Sequence, residues 1–300
     1  GTRHSPTYRA TRYGTITYFP IGGTSAPGYR ALNASVASTS IFVMTPLHIE
    51  SIGSGPNLVL LHGWAMHSGI WSGIRDQLSE RFRLHLVDLP GHGLSPACEP
   101  GTLEHMIDLI TAILPENCLL GGWSLGGQIA MELALREPSR VQKLILISTT
   151  PCFAKRNDWE WGMEHKLLQL FLENLKQNYT TTINRFLTLQ MSGDHNAARI
   201  LLQLRKHFFQ HAEPDAKSLQ KGLKILQDND VRMQMQAIKQ SVLLLHGEND
   251  VITHPAAAHW MHQQLPQSRL VMFPHCGHAP FLSYPDQFMN HLHEFRRTHS

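Results

Sequence analysis

From Met44 onward, short apolar runs alternate with stretches whose apolar residues recur every three or four positions. Runs of the first kind predict strands and stretches of the second kind predict helices. Their alternation predicts an α/β fold, with a mostly parallel central sheet and helices on both faces. Residues 47–51 resemble an opening edge strand, and residues 57–61 form the continuous apolar run expected of a central strand, ending at His62-Gly63-Trp64. Helical spacing over 71–80, 102–114, 254–265 and 286–297 is interleaved with strand patterns over 82–88, 118–120, 141–148, 241–247 and 269–273. Between residues 150 and 238 the alternation stops, and Leu and Phe recur at helical spacing with few strand signals. The expected organisation is an α/β core over 44–149 and 239–300, interrupted by a helical cap over 150–238.

Residues 1–43 differ from the body. They carry Arg3, Arg9, Arg12 and Arg30, many Ser, Thr, Gly and Tyr, and no Asp or Glu. An organelle transit peptide has a similar composition, but the segment lacks a clear amphipathic period. The expectation is an added or upstream-translated extension without a packed fold, with targeting as the alternative.

Composition narrows the function classes. At 300 residues and 42% hydrophobic, the chain can bury a sizeable core, and a formal charge of +3 without any long Lys/Arg run argues against nucleic acid as a partner. No apolar run approaches the roughly 18 residues of a membrane span. Cys98, Cys118, Cys152 and Cys276 lie far apart with no C-x-x-C, which reads as free thiols in a reducing compartment. A cytoplasmic monomer without metal or organic cofactor is expected.

Gly122-Trp123-Ser124-Leu125-Gly126 carries the chemistry, because it lies between an apolar strand run and a helical pattern beginning at Gln128. A strand, a sharp turn and a helix would hold the Ser124 hydroxyl exposed above the sheet edge as a nucleophile. Such a serine needs a base, and the base needs an acid to fix its tautomer, in the chain order Ser, acid, His. Asp250 follows the strand pattern ending near Gly247, and His278 follows the one ending at Phe273, so these are the acid and base. Glu248 and His275 are second choices. Asp88 is expected to cap the turn at Pro90-Gly91, His92 to be a loop residue, and His62 to orient its loop. The oxyanion of a tetrahedral intermediate would be met by the backbone N–H groups of Leu125 and Trp64.

With these motifs, residues 44–300 resemble the α/β-hydrolase superfamily. More narrowly they resemble the pimeloyl-acyl-carrier-protein methyl ester esterases of biotin synthesis. The resemblance rests on Leu58 through Trp64, Leu84 through Gly91, Gly122 through Gly127, Pro151-Cys152-Phe153, Arg185 through Gln190, Gly222 through Leu226 and His278 through Phe281. It implies hydrolysis of a methyl ester on a pimeloyl chain borne by acyl carrier protein. Ser124, Asp250 and His278 match the family triad, and Trp64 and Leu125 its substrate and oxyanion contacts. Phe186, Leu187, Thr188, Leu189 and Gln190 match the segment lining its acyl channel. Because the carrier is acidic, docking implies cations. Arg185 matches a basic position, Arg199, Arg205 and Lys206 lie nearby, and Thr181 and Ala198 stand where further Arg would be expected. The competing expectations are a broad carboxylesterase or lactonase for small free esters, and a catalytically silent binding protein of the same fold.

Overall fold

A computed structural model describes residues 47–208 and 214–297, so the segment over 1–43 lies outside the described residues. Seven strands form one sheet in the order β1-β3-β2-β4-β5-β6-β7. They are β1 (Ile49–Ile52), β2 (Asn57–Leu61), β3 (Arg83–Val87), β4 (Cys118–Trp123), β5 (Val141–Ile147), β6 (Ser241–Gly247) and β7 (Ser268–Phe273). Only β1 runs antiparallel; every other pairing is parallel. Every residue of β4 is buried, as a strand covered on both faces requires. The outer strands β1 and β7 are only partly buried. The opening strand starts two residues later than the 47–51 pattern suggests, because Leu47 turns into the core and the ladder begins with Ile49 opposite Val87.

Helices α1 (Ser72–Ser79), α2 (Leu103–Ile113) and α3 (Leu125–Arg136) follow β2, β3 and β4. The 71–80 pattern divides into a 3₁₀ turn over Ser68–Trp71 and then α1. Between β5 and β6 come α4 (His165–Gln177), α5 (Tyr179–Gln190), α6 (Ala197–Phe208) and α7 (Ala216–Asp228). Their buried residues Leu168, Ile183, Leu187, Leu204 and Leu219 join the same apolar cluster as Leu58 and Leu120 of the sheet. The inserted helices therefore share the body's core. Helices α8 (Pro255–Gln264), α9 (Pro280–Ser283) and α10 (Pro285–Arg297) complete the chain.

The register of the sheet assembles one rim. Leu61 pairs with Gly122, Trp123 with Ile147, Ile147 with Leu245, and Gly247 with Phe273. The segments after β2, β4, β6 and β7 thus leave the same edge. In an open parallel sheet, ligands bind outside these carboxyl ends, where neighbouring connections diverge. Here that divergence falls between β2 and β4, since β3 lies on one side of β2 and β4 on the other.

Candidate active site

Ser124 joins β4 to α3 with φ 56° and ψ −116°. Side-chain-bearing residues rarely adopt positive φ, so this turn holds its serine under strain. The flanking glycines leave no room for a side chain. A Cβ on Gly122 would strike the Gly126 carbonyl oxygen, and one on Gly126 would lie 2.5 Å from the Leu61 carbonyl oxygen. The Thr149 hydroxyl donates to the Ser124 carbonyl at 2.7 Å and pins the turn from the β5 side. Leu125 is the first residue of α3, where N–H groups have no intrahelical partner and the helix dipole favours negative charge.

His278 and Asp250 meet where the segments after β7 and β6 leave the sheet. The His278 Nδ1–H donates to Asp250 Oδ2 at 2.8 Å, with both side chains almost wholly buried. This bond fixes the tautomer that leaves Nε2 as the basic nitrogen, and Nε2 is buried without a hydrogen-bond partner. The imidazole lies beside the last residue of β4: its ring centroid is 5.5 Å from that of Trp123, whose indole N–H donates to the His278 carbonyl at 2.8 Å. Asp250 Oδ1 accepts from the N–H groups of Ile252 (2.9 Å) and Thr253 (3.0 Å), and Oδ2 accepts from the Thr253 hydroxyl at 2.8 Å. Burial pushes the Asp250 pKa up, but His278, His246 and these donors outweigh it and hold the carboxyl below its ordinary value. Glu248 and His275, the alternative acid and base, are exposed.

The loop after β2 is tied down by its histidine. His62 Nδ1–H donates to the Gly63 carbonyl at 2.8 Å, while Nε2 accepts from the Leu89 N–H at 2.9 Å. That pattern requires a neutral ring, and burial, followed by neighbouring His92, lowers its pKa to about 3. His62 thus orients the loop and cannot carry a proton in catalysis. A Cβ on Gly63 would lie 3.3 Å from Ser124 Cβ, so this loop runs alongside Ser124. Trp64 is anchored by its indole N–H, which donates to the Leu219 carbonyl of α7 at 2.9 Å. Asp88 fastens a wider turn than expected: it accepts from the Ser68 N–H at 2.6 Å and the Leu94 N–H at 2.9 Å. His92 is in a loop but fully buried, its ring centroid 5.3 Å from that of His62.

A cavity of about 730 Å³ opens over Ser124. Its apolar wall includes Trp64, Phe153, Phe171, Phe186 and Leu223, and Trp64 meets Phe186 edge-on at 4.9 Å. Thr188 and Leu189 also line it, whereas Leu187 and Gln190 do not. Leu187 is packed wholly into the core, because α5 turns its 187 and 190 positions inward and its 185, 188 and 189 positions outward. Gln190 instead supports the His278 backbone, its carbonyl accepting the His278 N–H at 2.8 Å. Of the four cations, exposed Arg185 and Arg205 border the cavity, Arg199 donates to the Leu282 carbonyl at 3.2 Å, and Lys206 is exposed. Thr181 lies in the cavity wall, and Ala198 is exposed.

Sequence reasoning did not single out Asp194, whose wholly buried carboxylate accepts from the Gly277 N–H, next to His278, at 3.1 Å. A lone aspartate in a Gly-Asp turn between helical patterns carries no signal that would distinguish it. Among the described residues, no three His, Cys, Asp or Glu side chains are grouped as a metal site would need, and no helix is long and apolar enough to cross a membrane.

Comparison with known proteins agrees with this architecture. Residues 56–285 match the family described as alpha/beta hydrolase fold. The chain is 56% identical over 247 residues to the pimeloyl-[acyl-carrier protein] methyl ester esterase of Nitrosomonas europaea, covering 82% of this chain and 98% of that protein. It is 52% identical over 258 residues to the protein of the same name from Nitrosospira multiformis, covering 84% of this chain and 98% of that one. Among solved structures, an esterase from Exiguobacterium antarcticum superposes with a TM-score of 0.77 at 26% identity, covering 84% of this chain and 96% of that chain. With a family match over most of its body and relatives this similar along nearly their whole length, the chain belongs to the α/β-hydrolase fold family and, within it, to the pimeloyl-[acyl-carrier protein] methyl ester esterases.

Proposed function

We propose that the protein hydrolyses the methyl ester of a pimeloyl chain carried on acyl carrier protein, releasing methanol and a free ω-carboxylate for biotin synthesis. The observation that carries the catalytic part is the buried Asp250–His278 pair, with its unpartnered Nε2, on the same rim of the sheet as a strained serine that lines an apolar cavity. The substrate is inferred from the names of the relatives.

In the proposed reaction, the Ser124 hydroxyl attacks the ester carbonyl as His278 Nε2 takes its proton. Asp250 stabilises the resulting imidazolium. The oxyanion is met by the N–H groups of Leu125 and Trp64, each such donor contributing about 3 kcal/mol to transition-state binding. His278 returns the proton to the departing methoxide, giving methanol and an acyl-enzyme. Water, deprotonated by the same imidazole, then attacks the acyl carbonyl; the bond to Ser124 Oγ breaks, His278 returns the proton to that oxygen, and the free ω-carboxylate leaves with the Ser124 hydroxyl restored. Every bonding partner is a protein group, a substrate atom or water.

The segment over 150–238 acts in this reading as a cap that encloses the acyl chain. Burying the five methylenes of a pimeloyl group against its apolar side chains would contribute about 4 kcal/mol. Arg185 and Arg205 at the cavity edge supply charge for an acidic carrier, with Arg199 and Lys206 as outer contributors. The test is turnover of methyl pimeloyl-carrier protein against short p-nitrophenyl esters, with complementation of a biotin-requiring strain lacking the esterase. Preference for the carrier-bound ester is expected. A large preference for the short free esters would identify a generalist carboxylesterase, and failure of a fluorophosphonate to label Ser124 would identify a silent binding protein.

A further inference from the structure

The turn that links α5 to α6 touches both catalytic loops. On the base side, the Gln190 carbonyl accepts the His278 N–H at 2.8 Å and the His195 N–H donates to the His275 carbonyl at 3.0 Å. Asp194 lies between these two contacts. Its Oδ2 accepts from the Gly277 N–H at 3.1 Å and from the Ser283 hydroxyl at 2.5 Å, and its Oδ1 accepts from the Asn196 N–H at 2.7 Å. On the acid side, the Asn249 amide donates to the Gly193 carbonyl at 2.8 Å. The fit is close: a Cβ on Gly277 would lie 2.6 Å from the Gln190 carbonyl oxygen, and one on Gly193 would lie 2.8 Å from Asn249 Cβ. The loops also bind each other, the Asn249 N–H donating to the Cys276 carbonyl at 2.9 Å.

The segment being held could not hold its own shape cheaply. His275 has φ 52°, a left-handed conformation that costs a side-chain-bearing residue free energy and persists only when its surroundings over-determine it. The contacts from residues 190–196 supply that constraint. A carboxylate is well suited to the central place, because it accepts three bonds without donating and needs no proton for any of them. Burying that charge would be costly without those donors.

We infer that residues 190–196 form a bracket that sets the catalytic base against the nucleophile, with Asp194 as its positioning residue. The inference rests on the reading of His278 as the base. It carries a mechanical consequence. Helix α5 presents Thr188 and Leu189 to the cavity and ends at Gln190, whose carbonyl holds the His278 N–H. The cavity wall and the support of the base are therefore successive residues of one helix, and an acyl chain that orders the wall also orders the base.

The test is Asp194→Asn in the full chain. An amide keeps one acceptor oxygen, so its NH₂ must face either the Asn196 N–H or the Gly277 N–H and Ser283 hydroxyl. Steady-state hydrolysis of p-nitrophenyl butyrate should show kcat reduced by about 10- to 100-fold with KM changed less than about threefold, the expected cost of a displacement near 1 Å. The rate of Ser124 labelling by a fluorophosphonate should fall in parallel. Leu187→Ala, which removes a wholly buried side chain of the same helix outside the bracket, should lower Tm without this loss of kcat. If Asp194→Asn does not fold, Asn249→Ala, which cuts the exposed acid-side tie, should still reduce kcat several-fold at wild-type Tm. Wild-type kcat and labelling rate in a folded Asp194→Asn, or in Asn249→Ala where only that variant folds, would overturn the inference. Absence of labelling in the wild type would instead overturn the catalytic reading.

Discussion

Asp250→Asn offers the sharpest test of the proposed chemistry, because the structure dictates how the new amide must sit. Oδ1 accepts two backbone N–H groups, from Ile252 and Thr253. Turning the NH₂ toward them would set donor against donor and leave two buried groups unpaired, at about 1–3 kcal/mol each. The amide oxygen therefore takes the Oδ1 place and the NH₂ takes the Oδ2 place, 2.8 Å from His278 Nδ1. There it donates to Nδ1 and drives the imidazole proton onto Nε2. The nitrogen that should strip Ser124 of its proton then already carries one, and the charge that stabilised the imidazolium is gone. Loss of the correct tautomer in a triad costs roughly 10⁴ in kcat, or about 5.5 kcal/mol. The assay is kcat for p-nitrophenyl butyrate at neutral pH, with circular dichroism to establish an unchanged fold. Activity within tenfold of wild type in a folded variant would refute the assignment of Asp250 as the residue that sets the base.

Other outcomes follow from burial and charge. Leu187→Ala should cost about 2–5 kcal/mol of stability, since that side chain is wholly enclosed, whereas Leu189→Ala, 48% exposed on the cavity wall, should leave urea midpoints nearly unchanged and raise KM for acyl substrates. Gly126→Ala should abolish soluble, active protein, because its Cβ would lie within 2.6 Å of two backbone oxygens, those of Leu61 and His62; a stable variant would contradict the packing of α3 on β2. Stability should decline as pH falls below about 6.5, the unfolded histidine value. His62 stays neutral in the fold down to about 3, so the unfolded chain takes up its proton first and the loss continues through that window. His62 alone accounts for on the order of 2–3 kcal/mol by about pH 4.5, and urea midpoints that stay flat to that pH would contradict the neutral buried ring. Arg185→Glu combined with Arg205→Glu should raise KM for the carrier-bound ester far more than for a short free ester, with the difference shrinking at high salt.

Much of the architecture was legible in the chain because it is local. The strand runs ending at Leu61, Leu120, Gly247 and Phe273, and the Gly-x-Ser-x-Gly turn, are written in residues adjacent in sequence, although the fourth strand runs on to Trp123. Ser124, Asp250 and His278 are proposed from their places after strands, and the structure brings those segments to one rim because a parallel sheet delivers every such segment there. Helical spacing also disclosed the inserted helices. It did not disclose which residues of 185–190 face the cavity, since a helical period gives the faces of a helix but not their orientation toward a neighbour.

What tertiary structure decided is what depends on distance across the fold. Burial separated Asp250 from Glu248 and His278 from His275, pairs alike in composition and only two or three residues apart. It placed Leu187 in the core and set the Gln190 carbonyl against the His278 N–H. Asp194 and Gly277 are 83 positions apart, and the same aspartate would be an ordinary solvated turn residue if α5 ended elsewhere. Local sequence sets backbone preference and the period of burial. The pairing of a buried carboxylate with a distant N–H exists only once the packed core brings the two together and excludes the water that would otherwise satisfy both.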